Sequence, residues 1–425
     1  MKKYIFFSSC DIHDMGGLPL YYLGKAKYLE ENGWKVFVFF PGKNTPDCAI
    51  SQLNKYVNDN LTWPEDNWRN SKDYINDYIN LLVDRIGKRK FGDEIIIETY
   101  DYWTSPWVEL LAKKLKAKHI IVLLNECKES DINSFRDDVD FYLFKYKRHE
   151  FFGNFNIQRA IFEGYLPLNN DEDHIPFSID EDPVQNVNNP IIDSISHDDW
   201  NIAYIGRTNK MYLPNIIEGV CEFAKNHNNH QIQFIVLGDF NCCKELYSEK
   251  SAGIDNLLLV ELGDQFPIPK NFFKKLDVVI AGAGSARCSV YEGVPTLLAD
   301  AANYMCNGLL GYETIQSGYA DADTNQGSFS DGLERALVQK VHLNKRNVFP
   351  PKVGVEDCCK QNFKVIYDSS KRKKYYNLNT IIKKCDDPFF VRIKSRIKRI
   401  MYHCCPHILE RYDKRKVEKR KNDFI

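Results

Sequence analysis

The chain has 425 residues, of which 44% are hydrophobic and 13% aromatic; this excludes a disordered chain and is too long for one ordinary core, so two domains of about 150–200 residues are expected. The net charge of −1 hides an asymmetry: residues 371–425 hold 18 Lys+Arg against 6 Asp+Glu, which leaves 39 against 52 in the rest of the chain. A mildly acidic body with a basic tail points the tail toward anionic lipid, nucleic acid or an acidic partner.

The 13 cysteines include three doublets and no C-x-x-C pair. They read as reduced cytosolic thiols and argue against a zinc site. The opening "MKKYIFF" has too short an apolar run for a signal sequence, and Asp11 and Asp14 follow it. It is read as a buried strand. No apolar run approaches the length of a membrane-spanning helix.

In chain order, "KYIFFSS" predicts a strand and "LPLYYLGKAKYLEENG" a helix with Leu20, Leu23, Lys27 and Tyr28 on one face, ended by Gly33. "WKVFVFF" is the next strand, "YINDYINLLVDRIG" a helix, "DEIIIET" a strand, "PWVELLAKKLKA" a helix, and "KHIIVLLNE" and "DFYLFKY" are strands. Between Arg159 and Arg207 there is no Lys or Arg, and Asn, Asp and Pro dominate, as in a connection between domains. A second series follows: strands "WNIAYIG", "IQFIVLGD", "NLLLVEL", "DVVIAGAG" and "VPTLLAD", and helices "LPNIIEGVCEFAKNHNN", "PKNFFKKL" and "SFSDGLERALVQKVHLN". Continuous apolar strands alternating with helices predict α/β domains with parallel sheets covered on both faces. Ligands of such sheets bind at the carboxyl ends of strands, and with two domains the natural place is the cleft between them.

Gly16–Gly17 lies between the first strand and first helix, where backbone N–H groups can approach an anion. It is not the G-x-G-x-x-G dinucleotide fingerprint, and an ordinary tight turn is the alternative. In "AYIGRTNK" a buried strand runs through Gly206 into Arg207 and Lys210; the bland reading is a solvated surface loop.

At these residues the sequence resembles the GT-B glycosyltransferases, particularly the family 4-like group. Those proteins share the strand, Gly-Gly loop and helix, followed by a stretch like "NGWKVFVFF", in which Trp34 replaces the usual His. "HIPFSID" is similar to their segment ending in Asn-Gly-Ile-Asp, "AYIGRTNK" to their arginine–lysine element, and "DVVIAGAGSARCSVYEGVPTLLAD" to their donor-site core. The resemblance spans roughly residues 1–366. It implies two tandem Rossmann-like doubly wound domains facing a cleft, with an acceptor domain at 1–178, a linker at 179–199, a donor domain at 200–356, a crossover helix at 357–370 and a basic tail at 371–425.

The implied function is transfer of a sugar from a nucleotide-sugar to a glycan or lipid-linked saccharide, on the cytoplasmic side of the cell. Arg207 and Lys210 would reach the donor diphosphate. Negative charge grows there as the bond to the sugar breaks, so fixed cations favour the transition state over the ground state. Gly16, Gly17, Gly206, Gly284 and Ser285 would line the phosphate and ribose region, and Glu292 would hold the ribose or pair at the surface. Glu313 and Thr314 are weaker donor-wall candidates. The resemblance calls for no cofactor and no metal.

The chain departs from the retaining members of the group. Their paired glutamates are replaced by Ile280 and Cys288, which leaves the stereochemistry open. An inverting enzyme would need a base toward the acceptor. The candidates are Asp14 beside His13, Glu98 in "ETYDYW", and Glu126 after Asn125, with Asp14 and Glu126 ahead. Each has a structural alternative: Asp14 as a turn cap, Glu98 paired with a lysine, Trp103 and Trp107 as core. In the tail, Phe390, Ile393, Ile397, Ile400 and Cys404 form one helical stripe flanked by Arg392, Lys394, Arg396, Lys398 and Arg399. That is the pattern of a helix at an anionic membrane surface, rather than of a nucleic-acid binder. A nucleotide-sugar epimerase of the same fold and a non-catalytic sugar-nucleotide or glycan-binding assembly factor at the membrane are the rival readings.

Overall fold

A computed structural model describes residues 1–7, 16–39, 50–57, 72–123, 129–153, 155–166, 182–196, 199–207, 209–301, 303–315, 326–368 and 374–378. The first half builds one sheet from β1 (Lys2–Phe7), β2 (Lys35–Phe39), β3 (Glu94–Thr99), β4 (Lys118–Leu123) and β5 (Phe151–Gly153). The strand order is β2-β1-β3-β4-β5, and every pairing is parallel. Alternation along each strand divides its residues between two cores. Ile5, Phe7, Ile95, Ile97, Ile121 and Leu123 enter one, and Tyr4, Phe6, Ile96, Ile120 and Val122 the other. Both faces are therefore apolar, which is why the strands read as unbroken hydrophobic runs.

The helices of this half are α1 (Gly17–Glu31), α2 (Lys72–Ile86), α3 (Ser105–Leu115), α4 (Glu129–Asp137), α5 (Val139–Tyr146) and α6 (Phe155–Phe162). Two expectations are corrected here. "DFYLFKY" is not a strand but α5, and the strand is the three-residue β5 that follows. Phe141, Tyr142 and Lys145 are buried at helical spacing, and a short apolar run cannot by itself distinguish helix from strand. Nor does α1 bury a single stripe through Leu20, Lys27 and Tyr28, since Leu20 and Lys27 are only half-buried. Tyr21, Tyr22, Leu23, Lys25, Ala26 and Leu29 are all buried, because a helix from the far end of the chain covers α1.

The second half begins with β6 (Val184–Gln185), whose neighbours Ile192 and Ile195 pack onto the second sheet. That sheet contains β7 (Trp200–Ile205), β8 (Ile232–Leu237), β9 (Leu257–Glu261), β11 (Val278–Ala281), β12 (Thr296–Ala299) and β13 (Cys306–Leu309); the short β10 (Ile268–Pro269) pairs with β6 instead. The order is β13-β12-β11-β7-β8-β9, parallel except for β13. Here too Ile202, Tyr204, Phe234 and Val236 face one core, and Ala203, Ile205, Ile235 and Leu237 the other.

Its helices are α7 (Leu213–Asn226), α8 (Lys244–Ser251), α9 (Lys270–Phe273), α10 (Ala283–Tyr291), α11 (Phe329–Leu333) and α12 (Val341–Asn344). The long helix expected over "SFSDGLERALVQKVHLN" is broken: α11 runs into a π-turn at Glu334–Val338, and Lys340 adopts the left-handed conformation before α12. "PKNFFKKL" forms a single turn, α9.

The last helix, α13 (Val355–Asp368), returns to the first sheet. Cys358, Cys359 and Ile366 bury against Tyr4, Tyr22 and Leu29, and Lys118 Nζ donates to the carbonyls of Ile366 (3.0 Å) and Tyr367 (2.8 Å). Tyr375 Oη then donates to the Ala117 carbonyl (2.9 Å), the Tyr376 amide donates to Glu109 Oε1 (2.7 Å), and Leu378 is buried in the first-domain core. Among the described residues no helix is long and apolar enough to cross a membrane. The tail stripe from Phe390 to Cys404 lies outside the described residues.

Candidate functional site

In an open parallel sheet, ligands bind beyond the carboxyl ends of the strands, where successive connections diverge to either side. In the second sheet the chain leaves β7 for β8 and β9 on one side and later returns to β11 on the other. That switch point lies between β7 and β11. The loop after β7 carries Gly206, Arg207 and Lys210; the loop after β11 carries Gly282, Gly284 and Ser285.

The two loops touch. A Cβ on Gly282 would lie 3.0 Å from Tyr212 Oη and 3.3 Å from the Ala299 carbonyl, so Tyr212, which closes the first loop, sits against the second. Gly206 has φ +156°, and a Cβ there would lie 3.0 Å from Tyr204 Oη. Tyr204 is fully buried, and its hydroxyl donates to the Arg207 carbonyl at 2.7 Å. Burial holds its pKa well above the ordinary tyrosine value, with Tyr212 adding to the effect, so the hydroxyl keeps the proton it donates. The backbone of Arg207 is thus fixed from beneath while its side chain is exposed. Lys210 is half-buried in the same loop.

On the other side of the switch point, α10 starts directly after Gly282 with no side-chain cap. Gly284 has no neighbour nearer than Arg287 Nη2, at 3.9 Å from its notional Cβ, and Ser285 is half-buried. First-turn amides of a helix that lack a cap are available to an anion. Tyr204 and Tyr212 were not singled out from the sequence, although both stand within a few residues of Arg207.

In the first sheet the chain goes from β1 to β2 and later to β3 on the other side of β1, so its switch point lies between β1 and β3. Gly16 and Gly17 follow β1 there. Gly16 is the N-cap of α1 with φ 179°, an extended backbone open to any residue, and no atom of the described residues lies within 4 Å of a Cβ built on either glycine. Among the described residues neither backbone conformation nor packing requires glycine at these two positions. His13, Asp14, Asn125 and Glu126 lie outside the described residues.

Several candidates are placed elsewhere. Glu98 is 2% exposed and bound to Lys25 (2.6 Å) and Tyr21 Oη (2.6 Å), so the lysine-paired alternative holds and it does not reach the loops. Asp101 Oδ1 accepts the Trp103 and Thr104 amides at 2.7 and 2.6 Å and so closes the turn that precedes α3; Trp107 is core. Glu313 accepts the Leu309 amide (2.8 Å) and pairs with Arg335 (3.2 Å), and Thr314 is buried beside it, so both secure the end of β13.

Glu292 needs a correction. Residues 293–295 lead into the start of β12, and Leu276 lies just before β11. Glu292 is therefore at the amino-terminal edge of the sheet, opposite the switch-point loops. There it pairs with Lys270 at 3.5 Å and lines a pocket of about 250 Å³ with Phe273, Lys274 and Leu276. Glu292 was offered as the carboxylate near Cys288, but it follows the last residue of α10, a helix of nine residues and about 13 Å, and so stands at the other end from Gly284 and Ser285. Glu292→Gln is expected to leave nucleotide binding within about twofold of the parent in a titration, because the side chain stands at the edge of the sheet opposite the switch-point loops.

One buried cluster has the order of a catalytic relay. The Thr99 hydroxyl meets His119 Nε2 (3.0 Å), and His119 Nδ1 meets Glu109 Oε2 (2.8 Å), which also binds Lys145 (2.6 Å). All four side chains are buried, so no substrate reaches them and the cluster is structural. Burial, with Lys145 adding to it, pushes the His119 pKa down to about 4 despite Glu109. Burial alone would raise Glu109; Lys145 and His119 outweigh it and hold the carboxyl at about 2. Below the ordinary histidine pKa of about 6.5 the unfolded chain takes up a proton that the folded chain refuses. Stability is therefore expected to fall by about 3 kcal/mol between pH 6.5 and 4. Urea denaturation across that window should show the slope, and His119→Asn should flatten it.

No protein-family model matches the sequence, and no curated protein matches it. Solved structures do resemble the fold. A glycosyltransferase from Rickettsia africae superimposes with a TM-score of 0.54 at 13% identity, over 90% of this chain and 96% of its own. A UDP-N-acetylglucosamine 2-epimerase gives 0.54 at 11% identity, over 89% and 99%. Anabaena HepE, solved in complex with UDP and glucose, gives 0.53 at 12% identity, over 90% and 97%. The chain therefore has a GT-B-like α/β fold.

Proposed function

We propose that this protein is a glycosyltransferase that moves a sugar from a nucleotide-sugar donor to a glycan or lipid-linked saccharide in cell-envelope polysaccharide synthesis. The observation that supports this reading is that the loop after β7, which carries Gly206, Arg207 and Lys210, and the loop after β11, which carries Gly282, Gly284 and Ser285, both leave the second sheet at its switch point and touch through Tyr212 and Gly282. A diphosphate there would lie on the uncapped amides of α10 and face two cations from the neighbouring loop. As the bond between sugar and diphosphate breaks, the leaving group gains charge that Arg207 and Lys210 neutralise. In this reading Gly16 and Gly17 face the donor from the first domain, and Asp14 or Glu126 takes the proton of the acceptor hydroxyl. No step requires a metal. The basic tail would hold the enzyme at the inner face of the cell membrane, near a lipid-linked acceptor.

Epimerisation of a nucleotide-sugar is the second reading, favoured by the similarity to a UDP-N-acetylglucosamine 2-epimerase at a TM-score equal to that of the transferase. Chromatography of a reaction with UDP-sugars distinguishes the two. Release of nucleoside diphosphate that depends on added saccharide supports transfer. An epimeric UDP-sugar formed without acceptor would replace that reading with the second, and binding with neither product would make the protein a non-catalytic binder.

A further inference from the structure

Two of the three cysteine doublets lie within the described residues, and they differ. Cys358 and Cys359 are buried on α13 against the first sheet. Cys242 is exposed and Cys243 only 7% exposed, and their sulfurs lie 3.6 Å apart with no disulfide between them. The pair sits in the short 3-10 turn Asn241–Cys243 that follows β8. That turn is at the carboxyl edge of the second sheet, beside the loop that carries Arg207. The Gly206 amide donates to the Leu237 carbonyl at the end of β8 (3.2 Å), and Cys243 shares a core with Tyr204 and Tyr212.

The turn is held from several sides. The Gly238 amide donates to the Gly263 carbonyl and the Cys243 amide to the Phe240 carbonyl, both at 3.0 Å. Asp239 Oδ1 accepts the Asn241 amide (3.1 Å) and its side-chain Nδ2 (2.6 Å), and Lys244 pairs with Glu261 on β9 (2.9 Å). The two sulfurs are therefore presented by a backbone that is fixed before any ligand arrives, which lowers the ordering cost of binding.

A disulfide within the pair is disfavoured. Neighbouring Cα atoms are about 3.8 Å apart across a trans peptide, short of the ~4.4 Å at which relaxed disulfides begin. Exchange also needs a thiolate, and burial, with the hydrogen bond to Cys242 adding to it, pushes the Cys243 thiol up to about 12. Bridging by a third atom has neither difficulty. An atom bonded to both sulfurs at about 2.3 Å, a usual metal–thiolate length, spans 3.6 Å at an angle of about 103°. The spacing thus suits a tetrahedral or pyramidal centre. A zinc ion would require further protein ligands, and among the described residues no group of three His, Cys, Asp or Glu side chains is placed to hold a metal ion. Trivalent arsenic that already carries an organic group is complete with two sulfurs.

We propose that Cys242 and Cys243 form a chelating site for trivalent organic arsenicals. An arsenic oxide, R–As=O, loses its oxygen as arsenic–sulfur bonds form to both cysteines, and the two thiol protons leave with that oxygen as water. Arsenic stays trivalent, no oxidant or reductant is consumed, and Cys243 need not ionise beforehand. Exposed Cys242 bonds first, and Cys243, already 3.6 Å from it, closes the ring. The site stands whichever reaction the switch-point loops serve, and its test uses no sugar nucleotide.

The experiment is titration of the full chain with phenylarsine oxide, followed by peptide mass mapping. The parent for it carries Cys404→Ser/Cys405→Ser, which removes the doublet outside the described residues. The adduct should be found on the peptide that holds Cys242 and Cys243. Adding Cys242→Ser or Cys243→Ser turns the chelate into a single bond and should weaken that uptake about 100-fold. If Cys243→Ser folds poorly, Cys243→Ala keeps the site apolar and takes its place, and Cys242→Ser, at an exposed position, should leave the melting temperature unchanged. Parent-like uptake by either folded variant overturns the proposal, as does an adduct on other cysteines only. A stable disulfide between the two cysteines on exposure to oxidised glutathione also overturns it, because the pair would then be a redox couple.

Discussion

Lys25→Met is expected to destabilise the protein by about 3–5 kcal/mol in urea denaturation, the usual cost of stranding one member of a buried ion pair. Lys25 is fully buried in α1, with its ammonium 2.6 Å from Glu98 Oε2 and 2.9 Å from Tyr21 Oη. The rings of Tyr4 and Tyr21 lie 5.1 and 5.2 Å from the same nitrogen. Tyr4 and Tyr21 donate to the two oxygens of Glu98, so with Lys25 the carboxylate is held by three donors, from β1 and α1 against β3. Burial lowers the Lys25 pKa, and Glu98 opposes it. Removing the lysine leaves an uncompensated carboxylate in the core. The double variant Lys25→Met/Glu98→Gln removes both charges, and it should cost well under the sum of the single changes. Additive losses would mean that the pair contributes no mutual interaction.

Arg207→Ala is expected to weaken binding of a nucleotide-sugar on the order of 10–100-fold, as loss of a charge-assisted pair would, while leaving stability unchanged. The side chain is exposed, and its backbone is held by Tyr204 Oη whatever residue stands there. If the cation meets charge that develops on the leaving diphosphate, kcat should fall more than KM rises. The conservative change Arg207→Lys should recover only part of the loss, because an ammonium lacks the planar fork. Titration calorimetry and steady-state kinetics on the folded variants check both statements. Unchanged affinity and turnover would remove Arg207 from the site.

Most of the fold was legible because both sheets are buried on both faces. Such strands appear as unbroken apolar runs, set apart where glycine or helical spacing interrupts the pattern; this is also why "YIFF" and "EIIIE" could be placed without ambiguity. What failed was short or depended on distant partners. Three residues of β5 carry too little pattern to compete with "DFYLFKY", and the four-residue antiparallel β13, which runs into the stretch that holds Glu313 and Thr314, was not read as a strand. The broad burial of α1, wider than one stripe, comes with the packing of α13, near the far end of the described chain, which no local periodicity records. Glu98 and Lys25 were each visible as charges within apolar surroundings, but a lysine partner for Glu98 was offered only as an alternative. The loops after β7 and β11 stood out in the sequence through glycine and charge, and the structure puts both beside the switch point of the second sheet. Glu292 was misplaced because nearness in sequence to Cys288 does not record that a nine-residue helix separates the two edges of the sheet.

The central claim, that the carboxyl edge of the second sheet grips the diphosphate of a nucleotide-sugar, is tested most directly by thermal unfolding against a panel of sugar nucleotides. Ligand at about 100 times its dissociation constant adds about 2.7 kcal/mol to stability, so one member of the panel should raise the melting temperature by several degrees, and the rise should shrink in Arg207→Ala. A flat response of the wild-type protein across the whole panel would contradict the account.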